Sequence, residues 1–244
     1  MSELAVADFV YEIILTGDRS CRNAARTWLR NHAASIWATL PELSALDIYE
    51  VVEDGARDPF LEPDLDPLAL AMLHFANVNT LAAAVTHPRF RESVAGCPQG
   101  VAASGTTFER RFYPVAGEAE PGPLQATFSY VVRYHQPAED EAHFIAHYLA
   151  DHPPVLARFP GIRSILCYLP VRVATPPVVL PPVDYIIGNE VAFDNLDAFN
   201  AAMASPVRKE LRAHFHKFPP FSGRNTHFPM LRTRLNPSTC GASS

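Results

Sequence analysis

The sequence predicts an α+β fold of two tandem βαββαβ units whose antiparallel sheets pack as one α/β barrel within a single chain. Three observations predict it. First, landmarks recur in order. His32 and His152, Pro41 and Pro160, Tyr49 and Tyr168, Phe75 and Phe193, Asn77 and Asn195, Pro88 and Pro206, and Phe108 and Phe228 each stand 118 to 120 residues apart. Internal repetition of this kind governs the whole architecture. Second, each half alternates period-two and helical patterns in the order strand, helix, strand, strand, helix, strand. Third, a four-stranded antiparallel sheet with both helices on one face leaves its other face apolar and uncovered. A fused second copy supplies the cover, and the space between the sheets can enclose a pocket. The order within each half is ferredoxin-like.

In the first half the elements run Phe9–Leu15 (strand), Cys21–Leu43 (amphipathic helix) and Ser44–Val52 (strand). A strand near Leu68–Ala76, a helix near Asn79–Ser93 and a strand near Thr106–Tyr113 follow. In the second half the matching segments are Phe128–His135, Asp140–Ile162, Arg163–Val171, Tyr185–Phe193, Leu196–Lys217 and Thr226–Leu235. Residues 1–115 form the first unit, 116–126 a Pro-, Gly- and Glu-containing linker, and 127–236 the second unit, leaving 237–244 as a frayed tail. The β2–β3 connections are long. Glu53–Pro67 is acidic, and Ala174–Val183 carries four prolines.

Composition excludes several classes. The 244 residues are 48% hydrophobic, so a substantial core is available, and 19% charged with a net charge of -6. That balance argues against a nucleic-acid partner, which calls for a basic stripe. No apolar run is long enough for a membrane span, and Met1–Asp8 lacks the pattern of a secretory signal. The cytoplasm is therefore the expected compartment. Cys21, Cys97, Cys167 and Cys240 lie far apart without metal spacing and are expected as free thiols. No Gly-rich nucleotide loop and no GxSxG elbow occurs, so no cofactor is called for.

The segment Phe144-IAHYLADHPPVLARFPGI places an aromatic residue, a His, a nearby Pro and a later Pro-Gly in sequence. It resembles the signature of EthD-like proteins of the dimeric α/β barrel superfamily. Asp194-NLDAFNAAMASPVRKEL resembles that family's second helix, so the resemblance spans roughly Phe128 to Leu235. The first half matches more weakly, through Trp28-LRNH and Leu40-PEL. There His32 is followed by Ala33-Ala34 rather than Pro, and Pro41 by Glu42 rather than Gly. The resemblance implies paired ferredoxin-like units. It leaves the reaction open, because the superfamily includes isomerases, cyclases, monooxygenases, haem enzymes and proteins without known activity.

His152 is the first catalytic candidate. Pro153 and Pro154 lack amide hydrogens, so the helix is expected to kink or break there and free the carbonyls of Leu149 and Ala150. An imidazole at such a break can donate and accept protons, or else satisfy those carbonyls as a core residue. His32 is the equivalent candidate, on a helical face with Ala25, Trp28 and Ile36. Glu12 and Arg133 are isolated charges in apolar strands. Under a shift of 120 residues Glu12 aligns with Val132, which puts Glu12 and Arg133 on opposite faces, at most one toward the barrel. Tyr49, Tyr168 and Tyr130 are strand phenols able to orient a substrate oxygen or simply to pack.

No metal is expected. His143 and His147 read as a solvated helix flank, and His214 and His216 are two apart and diverge on a helix. The expected function is thus a pocket for a hydrophobic, aromatic or polyketide-like small molecule. Cofactor-independent acid–base chemistry of the isomerase, dehydratase or cyclase type would occur there. A non-catalytic ligand-binding or accessory protein is the alternative, and a haem-binding fused barrel, with His152, His214 or His216 as axial ligand, is another. The barrel closes within the chain, leaving a monomer or a homodimer through a further surface.

Overall fold

A computed structural model of the protein describes residues 5–59, 67–118, 126–171 and 180–237. The eight strands are β1 (Ala5–Gly17), β2 (Ala45–Val51), β3 (Ala69–Phe75), β4 (Val101–Tyr113), β5 (Phe128–His135), β6 (Ile162–Pro170), β7 (Tyr185–Phe193) and β8 (Asn225–Leu235). They close into an antiparallel barrel in the order β1-β3-β2-β8-β5-β7-β6-β4. Each half contributes four adjacent strands, β4-β1-β3-β2 and β8-β5-β7-β6. The two sheets do not simply lie face to face. They join edge to edge, from Leu46↔Leu235 to Val51↔Met230 on one side and from Phe108↔Pro170 to Tyr113↔Ile165 on the other. Closure satisfies backbone groups that four open edges would expose.

Helices coat the outside. The first half has α1 (Arg22–Trp28), a wide π-turn over Leu29–Ala33, α2 (Ala34–Trp37), α3 (Val78–Thr86) and α4 (Pro88–Ala95). The second has α5 (Glu141–Leu156), α6 (Leu196–Ala204) and α7 (Pro206–Phe215). Asn77 and Asn195, matched by the repeat, cap α3 and α6 through their side-chain oxygens. The single second helix expected in each half is divided in two. His87 and Ser205 precede prolines and are extended, after which Pro88 and Pro206 open the next helix.

Apolar residues fill three layers. Val10, Ile14, Met72, Phe108, Val131, Phe228 and Met230 occupy the barrel interior. Trp28, Trp37, Leu81 and Phe90 pack under the first half's helices, and Phe144, Tyr148, Phe193 and Phe199 under the second's. Wall strands are therefore buried on both faces, β7 along its whole length.

Three sequence expectations are corrected. Phe9 faces Phe75 as Phe128 faces Phe193, and Glu12 faces Met72 as Val131 faces Glu190. Glu12 is thus the counterpart of Val131, not Val132. That one-residue slip turns both Glu12 and Arg133 inward. Second, α5 does not break at His152. The prolines sit in its last turns with helical backbone, and Ala157 N–H donates to Pro153 O at 2.9 Å. Third, the π-turn inserts extra rotation, so Leu29, Ala33 and Trp37 face the sheet and His32 is exposed.

Cys21, Cys97 and Cys167 are free thiols, while Cys240 and most of the linker and tail lie outside the described residues. Among the described residues no helix is long and apolar enough to cross a membrane.

Candidate functional site

The candidate residues separate onto two faces of the barrel wall. Glu12, Arg133, Tyr49 and Tyr168 meet inside the barrel. Arg133 Nε donates to Glu12 Oε2 at 3.0 Å, and its Nη2 donates to the same oxygen. Nη1 donates to the Val132 and Asn189 carbonyls at 2.9 and 3.2 Å, and the guanidinium lies 4.6 Å from the Tyr168 ring centroid. Tyr168 and Tyr49 donate to Glu190 Oε2 at 2.6 and 3.1 Å, and Ser129 donates to Oε1 at 2.5 Å. Burial tends to discharge Arg133, but Glu12 outweighs it and raises its pKa. Burial, then the Glu190 carboxylate, pushes both phenols well above the ordinary tyrosine range.

A second network, with Asp8 and Asp47 on either side of His74 and Arg110 and Arg234 beyond, spans β1 to β4 of the first half and β8 of the second. These groups answer one another. Glu190, Asp47 and His74 were not singled out from the sequence, because each lies in a strand without a distinguishing motif.

The pocket expected between the sheets is found instead on the outer face of the second half, between strands β5, β7 and β8 and helices α5 and α7. The cavity itself is about 40 Å³ and opens to solvent. Val132, Leu156, Phe159, Val191, Leu211 and Phe215 give it an apolar wall. His152 and Tyr130 line it, so two of the predicted residues come together here with Asn189, Arg208, Arg212, Asn225 and His227. Among the first half's candidates, none lines it, and His32 lies on the opposite unit's helical surface.

The polar wall is ordered by a directional chain. Arg208 grips Asp58 with two hydrogen bonds, Nε to Oδ1 at 3.0 Å and Nη2 to Oδ2 at 2.8 Å. Paired so, the carboxylate only accepts, and Tyr130 donates its hydroxyl proton to it. His227 Nδ1–H must then donate to the Tyr130 oxygen, 2.7 Å away. His227 Nε2 is left to accept from the Asn225 amide at 2.9 Å. This assigns the tautomer by elimination of donors.

Asp58 comes from the first half. It lies in the acidic connection after β2, which docks on α6 through Arg57 N–H to Asn200 Oδ1 at 2.8 Å and Asn200 Nδ2 to the Gly55 carbonyl at 2.9 Å. Each unit thus contributes to one pocket.

Burial comes first in depressing His152, aided by His214 and Arg208, to a pKa of about 3. Burial and then Arg208 lower His227 to about 4. Both rings are neutral at neutral pH. His152 does not cap freed carbonyls. Its Nδ1 lies 3.3 Å from His214 Nδ1, and its ring packs on Tyr148 and Phe218. Asn189 donates to the Tyr148 hydroxyl, and its amide oxygen is buried without a partner among the described residues.

These helices and strands coincide with a known family pattern. Residues 136–219 match the EthD domain. The EthD segment contains α5, β6, β7, α6 and α7, and so most of the pocket's helical wall. Solved structures resemble the whole chain. An anthrone oxidase-like protein aligns over 98% of this chain and 100% of its own at 11% identity and a TM-score of 0.64. A monooxygenase-like protein from Fusobacterium nucleatum covers 94% and 95% at 8% identity with a TM-score of 0.55. Another from Lactobacillus acidophilus NCFM covers 95% and 98% at 11% identity with a TM-score of 0.52. At such identities the likeness establishes the two-halved α/β barrel fold. No curated protein is significantly similar in sequence.

Proposed function

We propose that the EthD half carries an active site for a hydrophobic, aromatic, enolisable small molecule, and that the reaction is proton transfer without a cofactor. Isomerisation, dehydration and cyclisation of a polyketide-like substrate all belong to this class. One observation carries the reading. His152 and the unpartnered amide oxygen of Asn189 belong to a pocket with one apolar, aromatic wall and one wall of hydrogen-bonded polar side chains. A few placed polar groups in an apolar cleft are what a small-molecule site requires. A flat ring would lie against Val132, Val191 and Phe215. A substrate hydroxyl would donate to Asn189, and His152 would accept the proton in transit. The chain from Arg208 to Asn225 would hold the opposite wall rigid.

Anthrone, an enolisable aromatic ketone, is a suitable probe because an anthrone oxidase-like protein shares the fold. The protein is expected to speed deuterium exchange at the anthrone methylene in D2O, and His152→Ala to abolish that acceleration. Exchange accompanied by oxygen uptake would convert the reading to an oxygenase. Anthrone that binds but exchanges no faster than in buffer would leave a ligand-binding protein. A Soret band on adding haemin would favour the haem alternative.

A further inference from the structure

Sequence spacing pairs His143 with His147 and His214 with His216, both within one element. The fold pairs residues across elements instead. On α5, His147 and Asp151 are four residues apart and share a helical face, with His147 Nδ1 3.4 Å from Asp151 Oδ2. The end of α7 lays the His214 ring parallel to that of His147, at an interplanar angle of 11° and a centroid distance of 5.6 Å. One donor atom from each of these three side chains lies within 4.8 Å of the other two. His152 approaches His214 from the pocket side, Nδ1 to Nδ1 at 3.3 Å. His147 Nε2 is buried and has no hydrogen-bonding partner among the described residues.

An ordinary helix-surface pair accounts for His147 beside Asp151. It does not account for a second imidazole from another helix converging on the same carboxylate. A metal ion among the three donor atoms does. Around an ion bonded at 2.0–2.1 Å to nitrogen and oxygen, tetrahedral geometry sets the ligand atoms roughly 3.3 Å apart. The His147–Asp151 separation, 3.4 Å, is already at that spacing, and the three donor atoms lie within 4.8 Å of one another.

We infer that His147, Asp151 and His214 form a binding site for a divalent first-row transition ion, zinc in the first instance, at the seam between α5 and α7. Two imidazoles and one carboxylate without thiolate suit zinc and its neighbours, whereas calcium and magnesium demand oxygen donors. The α7 C-terminus adds the negative end of a helix dipole. The His147 and Asp151 side chains are 24% and 52% exposed, so an ion reaches them from solvent without unfolding the helices. Three protein ligands leave a coordination position open. The ion would clip α5 to α7 along the pocket's rim, and the inference stands apart from the reaction proposed above.

The test uses the full chain after chelator dialysis. Calorimetry with zinc should show one ion per chain. The melting temperature should rise with zinc and stay put with magnesium, since only a ligand of the native state stabilises it. Cobalt should give the visible bands of four-coordinate Co2+. His147→Ala, Asp151→Asn and His214→Ala should each weaken zinc binding by at least the roughly 10- to 100-fold that loss of a supporting contact costs. His143→Ala should leave it unchanged. Asp151→Asn is isosteric at an exposed position, so its result does not depend on refolding. Absence of zinc binding in the wild type would overturn the inference. So would wild-type affinity in the His147→Ala/His214→Ala double variant, or loss of binding in His143→Ala.

Discussion

Arg133 on β5 and Glu12 on β1 form a fully buried ion pair across the barrel interior, one partner from each half of the chain. Removing one partner strands the other charge at a fully buried position. Arg133→Met is expected to destabilise the fold by about 3–5 kcal/mol. The Arg133→Met/Glu12→Leu double variant should recover much of that loss, because the stranded charge is gone. Urea unfolding of the two single variants and the double variant checks this. Equal losses in single and double variants would mean that packing, not charge, dominates.

Asp58 links the first half's β2–β3 connection to the pocket wall, through Arg208 and Tyr130. Asp58→Ala leaves a buried guanidinium and a buried phenol without their acceptor. A stability loss of about 3 kcal/mol is expected, with looser binding of a hydrophobic probe as the wall loses its order. Fluorescence titration with the probe, run beside urea unfolding, separates the two effects. Unchanged probe affinity would detach the first half from the site.

The extent to which this was legible in the sequence follows from burial. Repetition of Tyr49 at Tyr168 and of Asn77 at Asn195 exposed the two halves, and apolar residues three and four apart placed the helices. Strand faces were harder. Where helices cover the outside and side chains fill the inside, β3 and β7 are buried at every position, and alternation no longer reports a face. Glu12 was therefore misassigned by one residue. His152 and Tyr130 were found because a motif or an aromatic alternation marks them. Asp58 was missed because its partner Arg208 lies 150 residues away and nothing local distinguishes it from the other acids of its loop.

His227 makes a pH signature available. Its folded pKa is about 4, below the unfolded value near 6.5, because burial and Arg208 disfavour its charged form. Between those values the unfolded chain binds more protons than the native one, so native stability falls as pH drops from about 6.5 toward 4. Each unit of depression corresponds to ~1.4 kcal/mol. His227→Gln should make the urea midpoint less sensitive to pH across that window. The slope that remains belongs to His152, His135 and His214, which are depressed in the same direction, first of all by burial. An unaltered slope would show that His227 does not resist protonation in the native state.

Gly188 faces Arg133 across the β5–β7 ladder. A methyl group there would lie 2.6 Å from Arg133 Nη1 and 2.8 Å from its Cδ. Arg133 has nowhere to move, since its three nitrogens are engaged with Glu12, Val132 and Asn189 and its plane rests on Tyr168. Gly188→Ala should therefore cost about 1–3 kcal/mol through overpacking. In the Arg133→Met background, where the flexible thioether can yield, the same substitution should cost clearly less. The coupling between the two changes, measured as a double-mutant cycle in urea, reports whether Gly188 is small because the guanidinium needs its space. Strict additivity would place the requirement for glycine elsewhere on β7.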